Sequence, residues 1–359
     1  MNARLERLHE AGVSIWLDTL SRELLESGAF ARLIADSAVS GATSNPTIFA
    51  KAITGSDRYD DQLRAAVASG LHDPQELFFA LALDDVRRAA DLLRPTYDAS
   101  GGRDGFVSFE CTPDLADDAD ATIAQAVELW SRLGRRNVMI KVPATEAGPV
   151  AIEELTARGV NVNVTLLFSV ARYEQVIDAY VAGLERRMKA GQRVDAIASV
   201  ASFFVSRVDT KADAVLPADS DLRGRVAVAN AQRAYARYRR RFDDDRWRAL
   251  ADAGAQPQRP LWASTGTKDT AYSDVLYVEQ LIGRDVVNTM PEATMRAFAD
   301  HGAVGRLLDA EAGPAEEILR RAAAAGIDLA TLTAQLEREG VRSFCDSYHE
   351  LLACVQTLR

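Results

Sequence analysis

The chain has 359 residues, 48% hydrophobic and 26% charged, with a formal net charge of −10. That composition fits a globular protein with a sizeable core and disfavours a general nucleic-acid binder, because phosphate contacts need a basic face. Phosphorylated small molecules stay open, since a few local cations suffice for them.

Met1 to Glu10 is charged and polar, without the apolar core of a signal peptide. No run of about 18 apolar residues occurs, so no membrane partner is expected. Cys111, Cys345 and Cys354 lack CxxC spacing, which fits a reducing cytoplasmic location. The histidines are scattered, so no protein-bound zinc site is expected.

In chain order, Val13 to Asp18 alternates and predicts a strand. Helical spacing covers 21–35. A second short strand over 38–43 ends in Ser44-Asn45-Pro46, a helix-start signature. Helical patterns over 57–68 and 74–93 precede the third strand, Phe106 to Glu110. A helix over 117–133 leads to a fourth strand within 137–145, an apolar, β-branched run interrupted by Lys141. A helix over 146–158 stops at Gly159. Residues 160–165 alternate strictly, 169–190 are helical, and 195–200 predict the sixth strand. A short helix after Ser206 and a long one over 222–252 follow. Strands over 260–265 and 285–289 are followed by helices over 273–282 and 291–301. A helical extension fills 315–359.

Eight strands, nearly all separated by helices, predict a single (β/α)8 TIM barrel over 1–359 with added helices, the 315–359 extension packed on it. A doubly wound sheet comes second. No Gly-rich turn follows the first strand, so its dinucleotide-binding form is unsupported.

Lysine is rarely buried, and an amine removed from water resists charging; a neutral amine can attack a carbonyl. A lysine snorkelling from the strand end is the plain alternative for Lys141. Strand phase speaks for chemistry. In a barrel strand alternate side chains point inward, and catalysis sits at the C-terminal ends. Ser14, Trp16 and Asp18 share one phase, as do Ser108 with Glu110, Met139 with Lys141, and Asn161 with Asn163 and Thr165. Opposite positions are almost all apolar. Glu110, on the preceding strand, is suited to carry protons for Lys141, and Asp18 to take one from a substrate hydroxyl. Arg207 and Lys268, beyond the sixth and seventh strands, supply cations for an anionic tail. Trp16 and Trp262 are both assigned the inward phase.

These residues lie in motifs that resemble the transaldolase family: Leu17-Asp18-Thr19, Thr43-Ser44-Asn45-Pro46-Thr47, Val107-Ser108-Phe109-Glu110, Ile140-Lys141-Val142-Pro143-Ala144-Thr145, Asn163-Val164-Thr165, Ser202-Phe203-Phe204-Val205-Ser206-Arg207 and Ala263-Ser264-Thr265. The likeness is to the longer bacterial branch. It implies Lys141 as the Schiff-base lysine and Glu110 as an acid/base acting through a water that Thr165 helps hold. It implies Asp18 as the carboxylate of carbon–carbon cleavage, with Asn45 and Asn163 orienting substrate hydroxyls. Ser202 and Phe204 would line the donor site, and Arg207 and Ser264 would contact phosphate. The implied reaction transfers a dihydroxyacetone unit between phosphorylated sugars, without cofactor or metal because the iminium is the electron sink. Shorter family members carry an arginine soon after the seventh strand's serine. Here Thr265-Gly266-Thr267-Lys268 follows, so Lys268 is the expected substitute.

Two rivals remain at this level: a class I aldolase cleaving fructose 6-phosphate without transfer, and an inactive barrel kept for protein contact. Monomer and homodimer are both open. The amphipathic end over 344–359 is expected to lie across the barrel mouth. The basic run Arg237 to Arg241, cancelled by Asp243-Asp244-Asp245, is expected to be a solvated helix face.

Overall fold

In a computed structural model the protein is described over residues 2–357, so the last two positions of the predicted extension lie outside the described residues. Eight strands, β1 (Val13–Leu17), β2 (Val39–Thr43), β3 (Phe106–Glu110), β4 (Val138–Pro143), β5 (Val162–Leu167), β6 (Ser199–Phe204), β7 (Arg259–Ala263) and β8 (Val286–Met290), close into one barrel in chain order. Neighbouring strands are parallel throughout, and helices occupy the connections. Among the described residues no helix is long and apolar enough to cross a membrane.

The interior at the N-terminal end is filled, not open. The Trp16 indole lies inside and donates to Asp104 Oδ1 at 2.8 Å. A Cβ at Gly41 would sit 2.5 Å from that ring, so only glycine lets β2 pass it. Arg259 enters from β7, donating to Ser14 Oγ at 2.8 Å and to the Arg103 carbonyl at 2.7 Å.

Four expectations are corrected. The sixth strand starts at Ser199, four residues later than predicted. Residues 194–197 form a turn instead, with Ile197 N–H on the Val194 carbonyl and Asp195 paired with Arg193. The fifth strand runs two residues further than predicted, to Leu167. The long helix over 222–252 is two helices, Val226–Arg241 and Asp245–Asp252, because Asp244 caps the second on Trp247 N–H. Trp262 points outward: its indole donates to the Leu281 carbonyl and meets the outward-facing Phe203 edge-on. The basic run does lie on a helix, with Arg237 facing Glu174 and Arg241 paired with Asp178.

The extension forms two helices, Gly313–Ala324 and Leu329–Thr357. Thr333, Leu336, Gly340, Phe344, Tyr348, Leu351 and Val355 are its buried stripe on the second, spaced three or four apart. Glu339 meets Lys211, which follows β6. Ser347 receives a hydrogen bond from Thr47, which follows β2, and His349 meets Asp114, which follows β3. These anchors all lie beyond strand C-termini, so the helix crosses the barrel mouth.

Candidate active site

Register decides which polar side chains meet. Glu110 on β3 is paired with Lys141 on β4, and Lys141 with Asn163 on β5, forming one inward row. Lys141 is 5% exposed. Its Nζ donates to Glu110 Oε2 and to the Ser44 carbonyl, both at 3.1 Å. Ser44 is held in turn, donating from Oγ to the Ser108 carbonyl at 2.9 Å. Snorkelling is therefore excluded for Lys141: its amine is buried and aimed inward.

Asn163, the third member of the row, is fully buried. Its Nδ2 donates to Ser108 Oγ at 2.9 Å, and its Oδ1 accepts from Ser202 Oγ at 2.7 Å. Asn163 thus fixes Ser202, which reaches the cavity wall. The buried Thr165 hydroxyl lines the same cavity with no hydrogen-bond partner among the described residues. That hydroxyl is therefore available to hold a water or a substrate group that enters the site.

Asp18 stands just past the end of β1. Its Oδ1 accepts from Thr43 Oγ1 at 2.8 Å, and Thr43 Oγ1 lies 2.7 Å from Thr289 Oγ1. A hydroxyl has one proton to give. Spent on Asp18, it requires Thr289 to donate to Thr43, so a hydroxyl chain from β8 through β2 ends on the carboxylate. Burial pushes Asp18 above the ordinary carboxylate range, opposed by the Thr43 hydrogen bond and by Lys141, Arg207 and Lys268. Burial likewise pushes Glu110 up, against the pull of Lys141.

Asn45 caps the helix Pro46–Thr54, its Oδ1 accepting from Ile48 N–H at 3.0 Å. The cap uses the oxygen, and Asn45 lines the cavity. That cavity, of about 160 Å³, brings together Asp18, Asn45, Lys141, Thr165, Ser202, Phe204, Arg207, Ser264 and Lys268. Of the residues expected from sequence, Glu110 and Asn163 sit just behind its wall.

Neither Arg207 nor Lys268 has an ion-pair partner among the described residues. Arg207 lies over the Phe204 ring, 5.3 Å from its centroid. A tie joins the two cations' supports. Tyr272, on Lys268's loop, donates to Asp213 Oδ2 at 2.7 Å, and Asp213 ends the Ser206–Asp213 helix that carries Arg207. Tyr277 donates to Asp209 on the same helix at 3.0 Å. Among the described residues no His, Cys, Asp or Glu cluster is arranged to hold a metal.

A family model described as transaldolase/fructose-6-phosphate aldolase matches residues 15–355. The chain belongs to that family. A transaldolase of Saccharopolyspora erythraea is 51% identical, with 99% of this chain and 97% of that protein covered. Transaldolases of Acidothermus cellulolyticus and Frankia alni are 50% and 48% identical, each over 99% of this chain and over 96% and 97% of theirs.

Within this family frame, sequence reading missed six wall residues: Thr43, Ala263, Gly266, Thr289, Pro291 and Phe344. Thr43 stood inside a quoted motif, and Thr289 ended a predicted strand. Register places both: inward Trp16 pairs with Thr289 on β8 and with Gly41 on β2, two residues before Thr43. Gly266 and Pro291 lie in loops, where no period exists to read. Phe344 comes from the distant last helix, and only its docking brings it to Lys141.

Proposed function

We propose that this protein is a transaldolase, a transferase of the pentose phosphate pathway. It takes a dihydroxyacetone unit from sedoheptulose 7-phosphate to glyceraldehyde 3-phosphate, giving erythrose 4-phosphate and fructose 6-phosphate. The observation that carries this reading is the buried Lys141–Glu110 pair at 3.1 Å, at a cavity also lined by Arg207 and Lys268, two cations without an ion-pair partner among the described residues. The names of the relatives, at about half identity over nearly full length, favour transfer over simple cleavage. The three free cysteines fit a reducing cytoplasm.

One proton moved along the Lys141–Glu110 hydrogen bond turns a charged pair into a free amine and a carboxylic acid, and burial raises Glu110 toward its acid form. The amine attacks the ketose carbonyl. Glu110, through a water held near Thr165, returns the proton that lets the carbinolamine lose water. Asp18 then takes the proton of a substrate hydroxyl, and the carbon–carbon bond breaks toward the iminium. The enamine stays on Lys141 until an aldehyde acceptor reverses the steps. Arg207, Lys268 and Ser264 hold the phosphate. Lysine does so as a point charge, where arginine would use a fork.

Borohydride reduction with fructose 6-phosphate, followed by mass mapping, tests the reading. A three-carbon adduct on Lys141 is expected, and no adduct on any lysine would sink it. Free dihydroxyacetone released as fast as transfer occurs would assign the aldolase instead. A narrower test concerns the tie behind the cations. Tyr272→Phe removes the hydrogen bond to Asp213 and leaves the ring in place. We expect KM for phosphorylated substrates to rise roughly threefold to tenfold with kcat nearly unchanged, the signature of lost uniform binding. Unchanged KM would show that the tie does not position Lys268.

A further inference from the structure

We propose that Phe344 is a specificity-determining residue, deciding whether the three-carbon unit on Lys141 is transferred or lost to water. The inference rests on the reading of Lys141 as the Schiff-base lysine. The Phe344 ring lines the cavity with its centroid 5.9 Å from Lys141 Nζ, and it is 5% exposed. That separation is within reach of a cation–π contact.

The ring's place is fixed by the helix that carries it. One turn earlier, Gly340 packs on Leu166 so closely that a Cβ there would lie 2.9 Å from Leu166 Cδ2. Three residues later, Ser347 accepts the Thr47 hydrogen bond at 2.8 Å. Phe344 is therefore held between two anchored points, not laid loosely over the opening.

What it covers matters for the outcome of the reaction. After cleavage the enamine has two fates. Its carbon can form a new bond to an acceptor aldehyde. Alternatively that carbon takes the proton that Asp18 had removed from the substrate hydroxyl, and water adds to the resulting iminium carbon. One water proton passes to Glu110 and the other to the nitrogen, the carbon–nitrogen bond breaks, and free dihydroxyacetone departs from the restored amine. An aromatic face offers water no ordinary hydrogen-bond partner, so Phe344 disfavours hydration on its side of Lys141. Glu110, hydrogen-bonded to Lys141 Nζ, and the Thr165 hydroxyl on the cavity wall keep polar access for the one water the chemistry needs. The ring also favours the cationic iminium over its neutral hydration product.

The test compares full-length wild type with Phe344→Ala and Phe344→Leu, using fructose 6-phosphate as donor and erythrose 4-phosphate as acceptor. The readout is free dihydroxyacetone released per transfer. We expect that ratio to rise roughly tenfold in the alanine variant, the order of a lost contact of this kind, and less in the leucine variant. Borohydride trapping without acceptor should show a shorter-lived adduct in both. If alanine does not fold, the leucine variant alone decides, because it keeps apolar bulk and loses the ring. A folded variant with an unchanged ratio and a wild-type adduct lifetime overturns the role of Phe344 alone. No adduct in the wild type overturns the Schiff-base reading beneath it.

Discussion

Replacing Lys141 with alanine is expected to lower transfer by about a millionfold, the scale seen when a covalent nucleophile is removed. The same change should also destabilise the fold. Glu110 is 8% exposed, and Lys141 Nζ is its ion-pair partner. Breaking a buried pair by removing one member costs about 3–5 kcal/mol, because the other charge is left uncompensated. The loss should depend on pH in a stated direction. Burial already raises Glu110 above the ordinary carboxylate range, with Lys141 the main opposing influence. Without Lys141 it rises further. A carboxyl group raised in the folded state favours folding below its unfolded pKa, and that advantage is lost as pH rises through the folded value. Urea unfolding should therefore show a larger penalty for Lys141→Ala at pH 8 than at pH 5. The double variant Lys141→Met with Glu110→Gln should recover much of the stability and none of the activity. A penalty for the single variant that is equal at both pH values would mean that Glu110 does not depend on Lys141 for its charge.

The inward row behind that prediction was legible because β3, β4 and β5 alternate cleanly. Glu110, Lys141 and Asn163 each stand among apolar neighbours, and one phase choice places all three. The barrel itself followed from counting strands and helices. Legibility failed where the period of two is interrupted. Ser264 has φ +55°, and Leu166 likewise. A left-handed residue at a strand's end breaks alternation there, so Ala263 and Ser264 both line the cavity. A strict period of two through Ser264 places Trp262 inward, which is the wrong face. In β6, Phe203 and Phe204 are apolar on opposite faces, so hydropathy gives no phase there, and the predicted start lies four residues before Ser199. Asp195 to Val200 alternates as well, yet its first half is a turn: Asp195 is drawn to Arg193, and Ala198 N–H is taken by Asn161 Oδ1. The position of Phe344 depends on helix docking over the mouth, which no local pattern encodes beyond the apolar stripe.

Asp18→Asn is expected to separate chemistry from stability. Asparagine keeps an oxygen for the Thr43 hydroxyl, so the chain from Thr289 survives, but it cannot accept the substrate's proton. Loss of a positioned general base lowers turnover by about 10²–10⁴. Stability should move the other way. Burial is the largest influence on Asp18 and raises it, outweighing Thr43 and the cations Lys141, Arg207 and Lys268. By the same linkage, ionised Asp18 opposes folding at neutral pH, and a neutral amide does not. The variant's unfolding midpoint should exceed wild type at pH 8, with the gap closing as pH falls toward about 4, near the free carboxyl value. The trapped intermediate identifies the blocked step. Lys141 and Glu110 are intact in this variant, so a Schiff base still forms with fructose 6-phosphate. Without a base for the hydroxyl, the carbon–carbon bond stays whole. Borohydride should therefore fix the entire phosphorylated ketose on Lys141, where wild type yields the three-carbon fragment. A three-carbon adduct formed at the wild-type rate would remove Asp18 from the cleavage step and leave its raised carboxyl group without a catalytic account.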